Sequence, residues 1–320
     1  SDDLNINKEK VQIAASISKS DLCSDLVKEY PELQGVMGKY FALSQGFDED
    51  IANSVSEHYL PTGLTSMLPK RPFSYSISIV DKIDTLVGFF IIDEKPTSSK
   101  DPFALRRSAI SLLRIIIENK LVFKLRDLIS HSIRLYEQQG VDIKNDKTEH
   151  QVLNFIKERI RNILKQKNIK SDIIEASVSS HADDNFLDLY KKTLLMNKHI
   201  KKNTGINAVN SYKRAANILD KSNKNIFGRP DTVLFRKDEE KQLYEKINEI
   251  RKAFTLKDSN KDYENLLIKL SHTKESTDNF FDNVVVNDEN QDIKNNRLEL
   301  LKMFCNTFDN FIDFSKLEGL

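Results

Sequence analysis

Apolar residues in this chain return at every third or fourth position, and that spacing is the strongest limit on what it can fold into. Between 148 and 168, Val152, Leu153, Ile156, Ile160, Ile163 and Leu164 fall on one face of a helix. Lys157, Arg159, Arg161, Lys165 and Lys167 fall on the other. Little punctuates the pattern: 320 residues contain 9 Gly and 7 Pro. Lys, Glu, Asp, Asn, Leu and Ile dominate, which suits long helices on short loops and argues against a sandwich, a barrel or a Gly-rich nucleotide fold. The expected fold is all-α. The length allows two domains of ordinary size, and 18 Phe and 9 Tyr supply two helical cores.

The same periodicity predicts the elements. Residues 9–30 read as helical through Val11, Ala15, Leu22, Leu26 and Tyr30, with a break at Pro31. PELQGVMGKYFAL continues as a helix with Leu33, Val36, Met37, Tyr40 and Phe41 on one side, and Gly35 and Gly38 would admit a close neighbour. Asp48 caps a helix carrying Ile51, Val55 and Tyr59 that ends at Pro61. PTGLTSMLPKRP reads as a loop. A strongly apolar helix covers 74–92, interrupted by Asp81, Lys82 and Asp84. Asp101 and Pro102 mark the N-cap and first position of the next helix, and another runs from about 120 to 138. Further helices are expected at about 183–202, 206–222, 237–255, 259–272, 275–286 and 290–312. The polar stretch VDIKNDKTEH is the best candidate for a domain boundary.

Several function classes are excluded by what the chain lacks. The net charge of +1 is uninformative as an average. Cys23 and Cys305 form no CxxC pair, which argues against a disulfide framework or thiolate zinc and fits a reducing cytosol. No apolar run approaches the roughly 20 residues of a membrane span. The N-terminus has no signal-peptide pattern and reads as a cut inside a longer protein. There is no phosphate loop, no GxGxxG, no HExxH, no GxSxG, and neither HIGH nor KMSKS. No catalytic residue is therefore expected. The most suggestive acids are Asp21 and Asp81. Two such residues on one bundle could meet at a divalent metal, as in HD-type phosphohydrolases, but Ser20 stands where the ligand His would be, and a hydroxyl is a poor substitute for imidazole. The plainer reading is that these acids cap helices or pair with Lys19, Lys82 or Arg107.

The second signal is basic. KKTLLMNKHIKK (191–202) carries five Lys and no acid, and Lys213, Arg214, Lys221, Lys224 and Arg229 follow. Two such helix faces could track a phosphate backbone, with Tyr190, Tyr212 and His199 stacking on bases. A solvated helix face would look the same.

More specific strings carry a resemblance. SKSDLCSDLVKEYPELQGVMGKYFA resembles KADLVT…EFPELQG(I/V)MGRYYA of the bacterial glycyl-tRNA synthetase β subunit. EHYLP and DKIDTLVGFF look like that family's EHYLP…DKLDTLVG, and PTSSKDPFALRR is similar to its PTGSKDPFALRR, with Ser98 for a Gly. YKRAANIL, FFDNVVVNDENQDIKNNRLELL and DFSKL resemble later family strings, with Asn287, Asn290 and Gln291 as departures. The last part also resembles the DALR-type anticodon-binding domain of arginyl- and cysteinyl-tRNA synthetases.

The resemblance implies the C-terminal half of that subunit, ending at or near Leu320. Residues 1–145 would be an HD-like domain truncated at its start, 146–180 a linking basic amphipathic helix, and 181–320 the anticodon-binding domain. It also implies a cytoplasmic protein that binds tRNA(Gly) and supports aminoacylation by a separate α subunit, in an assembly of two α and two β subunits. ATP and Mg would belong to the α subunit, and no metal or cofactor to this chain. The expected tRNA contacts are Lys198, Lys201 and Lys202 to the backbone, with Lys213, Arg214 and Asn217 on the YKRAANIL helix. Arg214, Asn217 and Arg297 have a competing reading as ties between helices. The rival functions are a scaffold that docks the α subunit through helices 74–118 without touching RNA, and an HD-type metal phosphohydrolase.

Overall fold

A computed structural model describes residues 6–63, 65–97, 99–143, 145–180, 184–222, 226, 228–255 and 262–318. Among these, regular structure consists of helices and short 3-10 turns, with no strand, which agrees with the expected all-α class. The chain forms two compact units: Ser1–Ile160 with Asp184–Leu187, and Arg161–Asp183 with Asp188–Leu320.

The first unit contains α1 (Lys8–Ile17), α2 (Asp25–Glu29), α3 (Val36–Ser44), α4 (Glu49–Glu57), α5 (Pro72–Ile91), α6 (Leu105–Glu118) and α7 (Leu125–Gln138). It also holds the start of α8 (Thr148–Gln166), which continues past Ile160. α5 is the centre, packed against α4, α6 and α7. Its Ile77, Ile79, Ile83, Leu86, Val87 and Phe90 are buried. Each such side chain stabilises the unit by about 1.5–3 kcal/mol relative to exposure.

Several sequence expectations change here. Residues 9–30 are not one helix: the chain turns out at Ser18, runs through a 3-10 turn at Ser20–Cys23, and restarts at Asp25. The serines explain it. Ser18 Oγ donates to the Ala15 carbonyl, Ser24 Oγ to the Asp21 carbonyl, and Ser24 Oγ accepts from the Val27 amide, so local side-chain bonds compete with the helix ladder. PELQG likewise stops as a 3-10 turn, because Gly35 takes φ +79° before α3 begins. The face α3 buries holds Gly38 and Ala42, while Val36, Tyr40 and Phe41 are exposed. Finally, α6 starts at Leu105 rather than Pro102, because Ala104 sits in the left-handed region at φ 53°. Asp101 still caps it from four residues away, accepting from the amides of Leu105 (2.8 Å) and Arg106 (3.0 Å). The start of α7 also moves, from about 120 to Leu125. The Asp48 cap is as expected, with Oδ1 accepting from the Ile51 amide at 3.0 Å.

The second unit contains the end of α8, then α9 (Ser171–Val178), α10 (Phe186–His199) from Asp188 onward, α11 (Asn203–Lys221), α12 (Asp238–Thr255), α13 (Tyr263–Ser271), α14 (Thr273–Asn283) and α15 (Gln291–Asp309). The sequence pattern had not marked α9. α11 packs on α13, α14 and α15. The core is aromatic: Phe304, Phe308, Phe311 and Phe314 are all buried, with Phe304–Phe308 and Phe308–Phe314 centroids 4.7 and 5.1 Å apart.

Candidate functional site

In the first unit, the acids singled out from sequence sit within one charged cluster. Asp21 is fully buried, and its Oδ2 accepts from the amides of Gly35 (2.6 Å) and Gly38 (3.3 Å). A Cβ at Gly38 would stand 2.7 Å from Val55 and 3.1 Å from Asp21, so only glycine allows this approach. Asp81 pairs with Lys19 at 2.5 Å. Burial is the largest influence on Lys19 and opposes its charge, but the bond to Asp81 and the charges of Asp81 and its neighbours together outweigh it and raise the lysine's pKa.

Lys82 is buried, and its Nζ donates to the carbonyls of His58 and Leu60, each at 3.1 Å, and to Ser78 Oγ at 2.8 Å. Burial pushes its pKa down to about 8, opposed by the Asp81 charge and assisted by Lys19. His58 has no exposed surface, and its Nδ1 lies 2.7 Å from the Val55 carbonyl. Burial depresses its pKa too. Ser78 and Ser111 donate to the carbonyls of Leu60 and Pro61, and Arg114 to those of Gly63 and Ser66. EHYLP is thus fastened to the DKIDTLVG helix and to α6 by side-chain donors.

This donor set does not fit a divalent metal. An ammonium group already rests on Asp81, Asp21 is held by backbone amides, and no group of three or more His, Cys, Asp or Glu among the described residues could hold an ion. Asp81 pairs with Lys19, one of the partners expected for it, and Asp21 bonds the backbone of Gly35 and Gly38.

In the second unit, Lys198 closes α10, and Lys201 and Lys202 are exposed in the corner before α11. The corner is tight: a Cβ on Gly205 would lie 2.3 Å from the His199 carbonyl oxygen. No side chain caps the N-terminus of α11. Lys198 pairs with Glu264 at 3.0 Å, and His199 Nε2 reaches the same oxygen at 3.1 Å. The bonds from Lys198 and His199 hold Glu264 below the usual carboxylate range. Lys192 is buried, donating to the Asn310 carbonyl at 3.3 Å, so it leaves the predicted basic face.

Lys213 is half-buried and Asn217 exposed. Arg214 bonds Asp278 (2.9 Å) and Asp282 (3.1 Å) and stacks over Phe281, tying α11 to α14. Two of the three proposed stacking residues are withdrawn: Tyr212 is buried between Phe308 and Phe314, and His199 is 7% exposed. Tyr190 is half-buried, with Lys167 6.0 Å over its ring. Arg297 is a tie as well. It is 4% exposed and bonds Glu240, Asp288 and the Val285 carbonyl. Asn296 exchanges two bonds with the Asp231 backbone. Lys224 and Ser98 lie outside the described residues. Sequence reasoning missed Glu264 and Asp309. Asp309 stands four residues before the DFSKL string, in FDNFIDF, where two acids between buried Phe residues were the available signal.

The strings that resembled one family are therefore the ones that fasten helices together. The family description "Glycyl-tRNA synthetase beta subunit" matches residues 2–179. The chain belongs to the glycyl-tRNA synthetase beta subunit family. A second description, "DALR anticodon binding domain", matches residues 208–318. Among its relatives in this family, the glycine–tRNA ligase beta subunit of Rickettsia canadensis (strain McKiel) is 38% identical over 311 residues, 97% of this chain and 45% of that protein. That of Sulfurihydrogenibium sp. (strain YO3AOP1) is 36% identical over 311 residues, 97% of this chain and 43% of that protein. The chain thus spans less than half the length of these family members. No helix among the described residues is long and apolar enough to cross a membrane.

Proposed function

We propose that this chain is the C-terminal part of a glycine–tRNA ligase β subunit, a cytoplasmic protein that grips the anticodon arm of tRNA(Gly) while the α subunit, with ATP and Mg, performs the aminoacylation. Residues 1–145 act as the HD-like domain, 146–180 as the link, and 181–320 as the anticodon-binding domain. The observation that carries the reading is the α10–α11 corner. Lys198, Lys201 and Lys202 gather beside a helix N-terminus that no side chain caps. Ammonium groups next to free helix-end amides favour a phosphate. Lys213, Arg214 and Asn217 lie further along the same helix, with Arg214 able to reach RNA only by exchanging its partners on α14. Holding the tRNA lowers the entropic barrier at the α subunit's site.

A gel shift with tRNA(Gly) across a salt series tests this. Each phosphate contact contributes a slope of about −0.7 to −0.9 in log K against log salt. The double variant Lys201→Glu/Lys202→Glu should weaken binding and flatten the slope by about two contacts. Binding indifferent to salt contradicts the reading, and binding unchanged by the double variant removes these two lysines from it.

The α subunit's docking place is a separate matter. Helices 74–118 bury most of their apolar side chains in the unit's own core, which disfavours them as a docking face. Exposed apolar residues concentrate at Leu26, Tyr30, Val36, Tyr40 and Leu43, and we assign α docking there. Pull-down of the α subunit by the chain and by its Tyr40→Glu variant decides the point: equal capture removes this face.

A further inference from the structure

The EHYLP histidine sits where only its neutral form is at home. The ring of His58 has no exposed surface, and its Nδ1 lies 2.7 Å from the Val55 carbonyl oxygen. A carbonyl only accepts, so Nδ1 carries the proton and Nε2 the lone pair. Nε2 is shut off from solvent with no hydrogen-bond partner. A second proton there creates a buried cation with an unmet donor, costly on both counts.

The surroundings oppose that proton as well. The charges acting on the ring are Asp81 and Lys82 on α5 and Lys19 ahead of the 3-10 turn. Asp81 favours a proton, but it is already shared: Lys19 bonds it at 2.5 Å, and Lys82 lies in its field. A cationic ring adds a third positive charge around one carboxylate. Tyr59 lies against the ring with centroids 3.8 Å apart. Glu57 closes the same helix, and Asp21 is held by backbone amides. α5 further carries Tyr75 and Asp84. α1 and α3, which also pack on α4, bring Lys8, Glu9, Lys10, Lys39 and Tyr40, and none of these is buried.

Relief requires the segment to open. The His58 and Leu60 carbonyls accept from Lys82, and those of Leu60 and Pro61 from Ser78 and Ser111. Moving the ring to water takes residues 57–61 off these donors. Tyr59 is the next link. A Cβ on Gly35 would lie 2.9 Å from Tyr59 Cδ2, so this ring rests directly on the residue before α3. α3 presents Val36, Tyr40 and Leu43 outward.

We propose that EHYLP is an acid-sensitive latch: a proton on His58 releases residues 57–61 and, through Tyr59 and Gly35, loosens α3 and its exposed apolar face. The latch is independent of the α-docking reading; only its effect on docking rests on that reading. Burial lowers the His58 pKa below the ordinary 6.5, outweighing the Asp81 charge and the Val55 carbonyl. The open segment therefore binds the proton more tightly than the closed one. The latch is fully shut above the ordinary value and opens progressively as pH falls below it.

Amide hydrogen exchange of the 320-residue chain between pH ~5 and ~7.5 tests this. Corrected for intrinsic rates, protection of residues 57–61 and 35–44 should fall about tenfold for each pH unit below 6.5. In His58→Gln, whose side chain cannot charge, it should not change with pH. Protection that is flat in the parent, or that falls equally in the variant, overturns the latch. If His58→Gln fails to fold, NMR of the parent decides. A ring that protonates near pH 6.5 while 57–61 stay protected overturns the proposal, and a ring that stays neutral until they open supports it. Pull-down of the α subunit at pH ~6 and ~7.5 separates the two readings. A loosened α3 with undiminished capture removes α docking from this face and leaves the latch in place.

Discussion

At the scale of single residues, the first unit turns on one buried ammonium. Lys82 is surrounded by two carbonyls and a hydroxyl rather than a carboxylate, with only the neighbouring Asp81 charge to help it. Desolvating such a charge is costly unless its donors are satisfied, and all three Nζ donors are. The folded pKa of about 8 lies below the ordinary lysine value of 10.5. Between those pH values the unfolded chain binds more protons than the folded one, so stability rises as pH increases through the window and is flat below it. The full gain is on the order of 3 kcal/mol. Denaturant titrations of the protein and of Lys82→Met from pH ~7 to ~10 should show this rise only in the parent. Parallel curves would mean that Lys82 titrates normally.

Elements are fastened by ties between residues far apart in the chain. Arg297 on α15 meets Glu240 at the start of α12 with both side chains nearly inaccessible. Glu240 also accepts from the amides of Arg236 (2.7 Å) and Lys237 (2.8 Å). Removing the arginine strands a buried carboxylate, and Arg297→Ala should cost about 3–5 kcal/mol in chemical denaturation. A loss below ~1 kcal/mol would show that water replaces the guanidinium. The α10–α11 corner is decided by Gly205. In an open helix Gly→Ala gains about 1 kcal/mol. Here the new methyl meets the His199 carbonyl at 2.3 Å, and backbone cannot rotate away. Gly205→Ala should therefore destabilise by about 1–3 kcal/mol, and tRNA affinity should fall with it as Lys201 and Lys202 shift. Unchanged melting would show that the corner is looser than its geometry implies.

For the whole molecule, the proposed RNA contacts lie in the second unit, so loosening the core of the first should leave them intact. Leu86 is fully buried at the centre of the first unit. Leu86→Ala should lower stability by about 2–5 kcal/mol while leaving tRNA affinity unchanged under conditions where the protein stays folded. A parallel drop in affinity, measured in the same gel shift, would assign RNA contacts to the first unit as well.

The all-α class, most helix positions and the family were legible in the sequence because they depend on local information. A 3.6-residue period needs only neighbouring side chains to reveal it, and a string such as EHYLP reads the same wherever it sits. Helix starts were harder to read where serines or a left-handed Ala104 compete with the helix ladder. Which side chains remain available for partners was decided by tertiary structure alone. Lys82 finds its carbonyl acceptors 24 and 22 residues away and Arg214 its acids 64 and 68 away. A lysine run cannot disclose that Lys192 turns inward while Lys201 and Lys202 stay out. Nor could FDNFIDF disclose that Asp309 ends up half-buried, with one oxygen shut off from solvent and unpaired. Such partners meet only after the helices pack, since the energy of a buried charge depends on the donors and acceptors that packing brings around it.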